Sequence, residues 1–351
     1  MTMRLFGWIF LLIIGLNTGC RHLLPAPQHF QTTEQNSGGT ARFQAVSVVN
    51  DQIVWASGTN GTFARTTDGG KTWQIATVPQ ATDLEFRDVQ GFDAQTAVLM
   101  SAGEGDKSRF YRTEDGGKTW QLHFTNPLPG GFYDGIAFWD ARRGVAFSDG
   151  TEGTFPILRT EDGGKTWMRV SQDRIPKPLA GEGGFAASGT NIIAVAGGTG
   201  YIGTGASSQK ARVLITRDYG QSWAAADTPM VSDAPTAGIT SLVFTDGQNG
   251  YAFGGDFQRD DPPANRVIQT QDGGKTWRVL PNPPLRNSIF GAAALPDRKS
   301  FLIVGPRGAY TSINGGQSWQ ALATQNYWSA GCGKHACWMV GTEARITRVS
   351  W

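Results

Sequence analysis

The sequence contains little charge, few histidines and few cysteines. Only 17% of its 351 residues are charged, and 31 basic against 29 acidic side chains leave a net charge of +2. Nucleic-acid binding needs a concentrated positive field, so this balance disfavours it. The four histidines, at 22, 29, 123 and 335, show no metal-ligand spacing. We therefore expect neither a metal site nor a cofactor.

Long helical apolar patterns are also missing after the N-terminus, whereas glycines and aromatic residues are plentiful. The chain holds 47 Gly, 12 Trp and 19 Phe. This composition is typical of many short strands joined by tight turns rather than of amphipathic helices.

The first twenty residues resemble an export signal. Arg4 precedes an apolar run from Leu5 to Leu16, and Asn17-Thr18-Gly19-Cys20 follows. The run is shorter than the roughly 20 residues of a membrane-spanning helix. We expect residues 1–20 to be a lipoprotein-type signal peptide, with lipidation at Cys20, and residues 21–27 to be a linker.

This signal predicts an exported protein on the periplasmic or extracellular side, anchored to the membrane. The match is imperfect, because Leu16 stands four residues before the cysteine instead of three. A plain cleaved signal and an uncleaved anchor remain as alternatives.

The other two cysteines, Cys332 and Cys337, are close together in Cys-Gly-Lys-His-Ala-Cys. An exported protein can keep such a pair oxidised, and a turn between them would bring the side chains within disulfide range, so we expect a disulfide. The alternative is a metal site that includes His335, but no fourth ligand is near in sequence.

One pattern, Ser/Thr-x-Asp-x-Gly-x-x-Trp, recurs six times. Its tryptophans lie 47, 47, 56, 54 and 42 residues apart, close to the length of one four-stranded propeller blade. In the sixth copy serine and asparagine replace threonine and aspartate. The frame residues are Thr66, Asp68, Gly70 and Trp73; Thr113, Asp115, Gly117 and Trp120; Thr160, Asp162, Gly164 and Trp167; Thr216, Asp218, Gly220 and Trp223; Thr270, Asp272, Gly274 and Trp277; and Ser312, Asn314, Gly316 and Trp319.

The residue types of this frame are those of a turn. Aspartate accepts hydrogen bonds from backbone N–H groups two residues on, and glycine adopts a positive φ without strain. Tryptophan then begins the next strand and buries its ring beneath the loop. A catalytic group has no reason to recur six times, so we interpret these residues as structural.

The segments between the frames predict four strands per unit. In the third unit they are Tyr133–Phe138, Gly144–Phe147, Ile157–Thr160 and a strand from Trp167. After Trp319 only three strands remain, so we expect residues 29–32 to complete a seventh blade as its outer strand. The sequence thus predicts one all-β domain over residues 28–351, a seven-bladed β-propeller with four-stranded antiparallel blades. Six blades and a loose tail are the alternative.

The frames resemble the Asp-boxes of bacterial neuraminidase repeats. The longer unit, with Gly-Ile-Ala-Phe-Trp-Asp-Ala-Arg-Arg-Gly-Val-Ala-Phe leading to Leu-Arg-Thr-Glu-Asp-Gly-Gly-Lys-Thr-Trp, resembles the photosystem II stability and assembly factor family over residues 28–351. That resemblance implies a non-catalytic propeller that helps to assemble a membrane protein complex. We expect a monomer whose partner is a protein.

A sialidase-like glycoside hydrolase acting on cell-surface or extracellular glycans is the alternative function. Sialidases carry Arg-Ile-Pro before the first box, whereas Arg174-Ile175-Pro176 follows the third box here, and Glu343 is the only glutamate after Glu182. No carboxylate pair of the glycosidase kind is recognisable. We therefore assign no catalytic residue.

Variable loops on a rigid frame are the usual place for binding, and the boxes should lie on the opposite face from the longest loops. These loops are Gly197–Arg212, Gly254–Arg266 and Ser101–Arg109. Their mixed charge fits a protein partner, although for any single residue a solvated loop without a role is the alternative. The candidate contacts are Lys107, Arg109, Tyr201, Lys210, Arg212, Arg259 and Arg266.

Overall fold

A computed structural model describes residues 29–207, 209–261 and 263–351. The predicted signal peptide, Cys20 and the linker lie outside these ranges. The described ranges contain 28 strands and two short 3-10 helices, at Gly105–Lys107 and Gln172–Arg174. Among the residues so described, none of the helices has the length and hydropathy needed to cross a membrane.

The strands form seven four-stranded antiparallel sheets, as the sequence predicts. The first four blades, from the inner strand outward, are β2 Phe43–Val48, β3 Val54–Gly58, β4 Thr62–Thr66 and β5 Gln74–Thr77; β6 Phe86–Gly91, β7 Ala97–Ser101, β8 Arg109–Thr113 and β9 Gln121–Thr125; β10 Tyr133–Phe138, β11 Gly144–Ser148, β12 Ile157–Thr160 and β13 Met168–Arg169; and β14 Ile192–Val195, β15 Thr199–Gly203, β16 Arg212–Thr216 and β17 Ala224–Asp227.

Blades five to seven follow the same order, except that the outer strand of the seventh comes from the N-terminus. They are β18 Ala237–Phe244, β19 Gly250–Asp256, β20 Val267–Thr270 and β21 Arg278–Val279; β22 Gly291–Ala294, β23 Phe301–Gly305, β24 Gly308–Ser312 and β25 Gln320–Ala323; and β26 Tyr327–Cys332, β27 Ala336–Gly341, β28 Ile346–Ser350 and β1 Gln31–Gln35. Each inner strand contacts the next, and β26 contacts β2, so the ring is closed around a central channel.

The N-terminal strand closes the seventh blade by pairing with the last strand of the chain. The register runs from Gln31 opposite Ser350 to Gln35 opposite Ile346. The sequence placed this strand at residues 29–32, and it lies slightly later, but its position at the outer edge is as predicted. A ring of six blades with a loose tail is therefore excluded.

The hydrophobic core lies between neighbouring blades. The tryptophan that follows each box turn packs against the preceding blade, as Trp120 of blade two does with its ring 5.1 Å from that of Phe63 in blade one. The box glycine before it needs to be small, because a Cβ at Gly117 would lie 2.5 Å from the same phenylalanine ring. Each frame thus joins two blades as well as two strands.

Five of the seven inner strands carry a β-bulge at the same place, near their first residue. The pairing with the second strand skips one residue in β2, β6, β10, β18 and β26. A bulge leaves the extra residue out of the ladder and redirects its side chain. The five bulge residues are Gln44, Arg87, Asp134, Thr240 and Trp328.

The strand order fixes which loops share a face of the disc. Turns between the third and fourth strands, which contain the boxes, lie on one face, called here the box face. Loops between the second and third strands and the links between blades lie on the other, called the pocket face. Because inner strands start at the pocket face, all five bulge residues lie near its centre.

Candidate functional site

The link into blade four closes the central channel on the pocket face. The Ser188 hydroxyl donates to the carbonyl oxygen of Phe290 in blade six at 2.7 Å, and the Ser329 hydroxyl of blade seven donates to the Ser188 carbonyl oxygen at 2.8 Å. The Thr190 carbonyl accepts the backbone N–H of Leu242 in blade five. Residues 185–190 therefore cross the ring and form a plug.

A cavity of about 250 Å³ lies above this plug. Its walls come from blades two, three, five, six and seven and from the plug itself. Five aromatic rings dominate the lining: Phe132, Phe185, Phe257, Phe290 and Trp328. Two pairs of them meet edge to face, with ring centroids 6.0 Å apart for Phe185 and Phe257 and 5.0 Å apart for Phe290 and Trp328.

Four of the five bulge residues line this cavity, namely Arg87, Asp134, Thr240 and Trp328. In an unbroken ladder these side chains would follow the alternation of the strand. The bulge redirects them towards the cavity. The same irregularity, repeated in several blades, therefore places a different side chain in the cavity wall each time.

Asp134 and Asp149 form a carboxyl pair in one wall of the cavity. Asp134 is only 1% exposed, and its Oδ2 has no hydrogen-bond partner among the described residues. Burial and the neighbouring Asp149 raise the pKa of Asp134 well above its usual range. Burial of the Asp149 carboxyl group raises its pKa to about 6, although Asp149 accepts the Gly184 backbone N–H at 2.8 Å. Of the two, Asp134 therefore keeps its proton to the higher pH.

A second charged group, Arg87, comes from the inner strand of the neighbouring blade two. Arg87 donates to Glu85 Oε2 from Nε at 3.0 Å and from Nη2 at 2.7 Å. Arg42 reaches the other Glu85 oxygen at 3.4 Å, and its guanidinium lies 4.6 Å from the centre of the Trp328 ring. Arg87 thus already has Glu85 as its hydrogen-bonded anionic partner.

Three of the residues predicted to contact a partner are buried. Tyr201 stacks on Phe244 with ring centroids 3.6 Å apart, Arg212 forms an ion pair with Glu182, and Arg266 donates to the carbonyl oxygens of Asn287 and Pro283. Burial lowers the pKa of Arg266 to about 10. These side chains stabilise loops and blades, so a role in surface contact does not fit them.

The other predicted contact residues, Lys107, Arg109, Lys210 and Arg259, reach the pocket-face surface, where each of the last three is paired with an aspartate. They stand on loops of three different blades. The loop predicted at Gly197–Arg212 is also shorter than expected, because strand β15 occupies Thr199–Gly203.

The frame residues lie on the box face, away from the cavity. In blade one the Thr66 hydroxyl donates to Asp68 and accepts the Gly70 N–H, while Asp68 Oδ1 accepts the Thr72 N–H at 3.0 Å. The aspartate therefore reaches a backbone group four residues on, rather than the two expected, and the threonine hydroxyl completes the turn.

The remaining sequence candidates lie at the seventh blade. Cys332 and Cys337 form a disulfide across the β26–β27 hairpin. The side chain of His335 contacts Asp51 of blade one, with its Nδ1 2.8 Å from Asp51 Oδ2. Within residues 29–351, leaving aside 208 and 262, no cluster of three or more possible metal-binding side chains occurs.

The cavity was not predicted from the sequence, and the bulge position is the signal that could have pointed to it. In each of the five strands an aromatic residue or isoleucine precedes it, as in Phe86-Arg87 and Tyr133-Asp134, while the bulge residue itself differs from blade to blade. A position that varies inside a constant frame indicates that it serves something other than the frame. The plug and the link residues have no such signal.

Comparison with known proteins identifies the fold. No known family model matches the sequence, and no curated protein matches it. Among solved structures, YCF48 bound to a D1 peptide matches with a TM-score of 0.65 at 18% identity, covering 94% of this chain and 98% of that one. YCF48 from Cyanidioschyzon merolae matches with a TM-score of 0.64 at 14% identity, covering 90% and 98%. U3-55K matches with a TM-score of 0.63 at 9% identity, covering 91% and 98%. This chain is similar to all three over nearly its whole length in the seven-bladed propeller fold.

Proposed function

We propose that the protein is a non-catalytic scaffold that binds a protein partner at the centre of its pocket face. The observation that carries this proposal is the plugged, aromatic-lined cavity at the mouth of the channel. Exposed aromatic side chains on a rigid frame are typical anchors for a partner polypeptide. Phe257 is 41% exposed and forms part of the cavity rim.

The comparisons support the same reading. One matching propeller is YCF48 bound to a D1 peptide, and the repeat unit resembles the photosystem II assembly factor family. We infer that the scaffold is an assembly factor of that kind and that its partner is a membrane protein complex. The signal-like sequence of residues 1–20 is the ground for proposing export and a membrane tether at Cys20.

The side chains of the two faces differ in the way that a single binding face requires. The recurring carboxylates on the box face are saturated by hydrogen bonds within their own turns. The cavity on the other face holds side chains that differ from blade to blade and include an unpartnered oxygen. Binding on one face leaves the other free to keep the blades together.

An affinity pull-down from detergent-solubilised membranes, with the intact protein as bait, tests the proposal. We expect a membrane protein to co-purify in fixed proportion to the bait. Hydrolysis of a sialoside or another glycoside by the purified protein, with no co-purifying partner, would instead establish the glycosidase alternative.

A further inference from the structure

Among the described residues, no cationic side chain donates a hydrogen bond to the acid pair Asp134 and Asp149. The charged groups that act on Asp134 are Asp149 and Arg87. Arg87 lies on the inner strand of the neighbouring blade and directs two of its N–H donors to Glu85. Asp134 Oδ2 is thus buried without a hydrogen-bond partner among the described residues, and Asp134 lines a cavity that opens to the surface. Burying such an oxygen is costly unless something binds it.

The rest of the lining suits a positive charge on an apolar stem. The faces of aromatic rings attract cations, and the attraction grows where water is excluded. Five rings surround the cavity, and its fourth polar side chain, Thr240, already donates its hydroxyl hydrogen to the Ile289 carbonyl oxygen. A volume of about 250 Å³ is below the usual size of a site for a drug-sized ligand, and it fits a single side chain.

We propose that the cavity binds the ammonium group of a lysine side chain presented by the partner polypeptide. The four-carbon stem would lie against the rings, and the ammonium group, with three donors, would bind the carboxyl groups of Asp134 and Asp149. This inference rests on the proposed function, because it names the group that the pocket face recognises. It assigns the pair Asp134 and Asp149 to recognition.

A bound cation changes the ionisation of this pair. Its charge favours the carboxylates, so it lowers the pKa of both Asp134 and Asp149 and promotes the release of their protons. The groups facing the pair are Arg87 from blade two and the Gly184 N–H from the link before the plug. Because the free site holds protons that the complex releases, affinity should rise as the pH rises through about 6.

Isothermal titration calorimetry with the intact protein tests the proposal. The probes are acetyl-Gly-Lys-Gly-amide, the same peptide with norleucine in place of lysine, and n-butylamine. We expect the lysine peptide to bind at least tenfold more tightly than either other probe and to release protons on binding. Equal binding of the norleucine peptide would overturn the choice of a cation. Equal binding of butylamine would overturn the polypeptide as its source.

Variants separate recognition from folding. Asp134→Asn combined with Asp149→Asn should weaken binding of the lysine peptide at least tenfold while the protein melts no lower at pH 8, because a costly buried charge is removed. Asp88→Asn is the matched control, since Asp88 is another buried acid that does not line the cavity, and it should leave binding unchanged. Undiminished binding by the double variant would overturn the proposal. If the lysine peptide does not bind but the pull-down still captures a membrane protein, the proposed function stands and this inference fails.

Discussion

At the scale of single residues, the pKa values of aspartates shift in opposite directions at the two faces of the molecule. On the box face, hydrogen bonds from the Thr119 hydroxyl and backbone hold the pKa of Asp115 down to about 2. Near the channel, burial raises the pKa of Asp88 to about 8, even though its oxygens accept the backbone N–H groups of Val89 and Ile136 at 2.7 Å. Asp115 therefore stabilises the fold in its ionised form, whereas Asp88 stabilises it in its protonated form.

The box frame should affect folding and not binding. Trp120→Ala should lower the free energy of unfolding by about 3 kcal/mol, at the lower end for such a change because the ring is half-buried. Asp115→Ala should lower the melting temperature at pH 7 and have less effect near pH 2, where that carboxyl is becoming protonated. Chemical and thermal denaturation measure both, with the exposed Asp106→Ala as control. Melting of the Trp120 and Asp115 variants like the parent would contradict a structural role.

Asp88 should make stability depend on pH in the opposite sense. Its folded pKa of about 8 lies above the unfolded value of 3.8, so the folded state retains a proton that the unfolded chain loses. The contribution of Asp88 to the free energy of unfolding is full below pH 3.8 and declines as the pH rises towards 8. Compared with the parent, Asp88→Asn should gain stability steadily between pH 4 and pH 8, as thermal melting in a series of buffers would reveal. A constant difference across that range would mean that Asp88 is ionised when folded.

At the scale of strands and turns, local sequence patterns predicted those elements that are determined by residues close together in the chain. The inner strand of blade three has the predicted bounds, Tyr133–Phe138, because alternation and turn residues define it. The plug escaped prediction because its contacts depend on ring geometry, and Ser188 meets a partner 141 residues away. The cavity escaped for the same reason, since bulge residues from distant blades form it only once the ring has closed.

The N-terminal strand is the element on which closure depends. Gln35 accepts from the indole N–H groups of Trp73 and Trp338, both at 3.2 Å, and thus links blades one and seven. A protein that starts at residue 38 should melt at a lower temperature than one that starts at residue 29, and it should associate as its concentration rises, because the edge of β28 is left unpaired. Calorimetry and analytical ultracentrifugation measure the two effects. Equal melting and a monomeric state at all concentrations would show that β1 contributes little to the ring.

At the scale of the whole molecule, the proposed function requires that the propeller is anchored to the membrane. We expect Cys20→Ala to release the protein from the membrane into the soluble fraction, because lipidation of that sulfur would be lost. Fractionation with immunodetection measures the change, and Cys332→Ala together with Cys337→Ala serves as the control that keeps Cys20. Retention of the Cys20 variant in the membrane would indicate an uncleaved anchor instead.

The proposed function requires that the partner binds to the pocket face. Two exposed apolar side chains allow the faces to be compared, since Phe257 on the cavity rim is 41% exposed and Ile313 in the sixth box turn is 49% exposed. The most direct measurement is the amount of membrane partner captured by Phe257→Ala and by Ile313→Ala at equal bait loading. We expect at least a tenfold loss for Phe257→Ala and none for Ile313→Ala, with both variants melting within a few degrees of the parent. Full capture by Phe257→Ala, or loss confined to Ile313→Ala, would contradict the account.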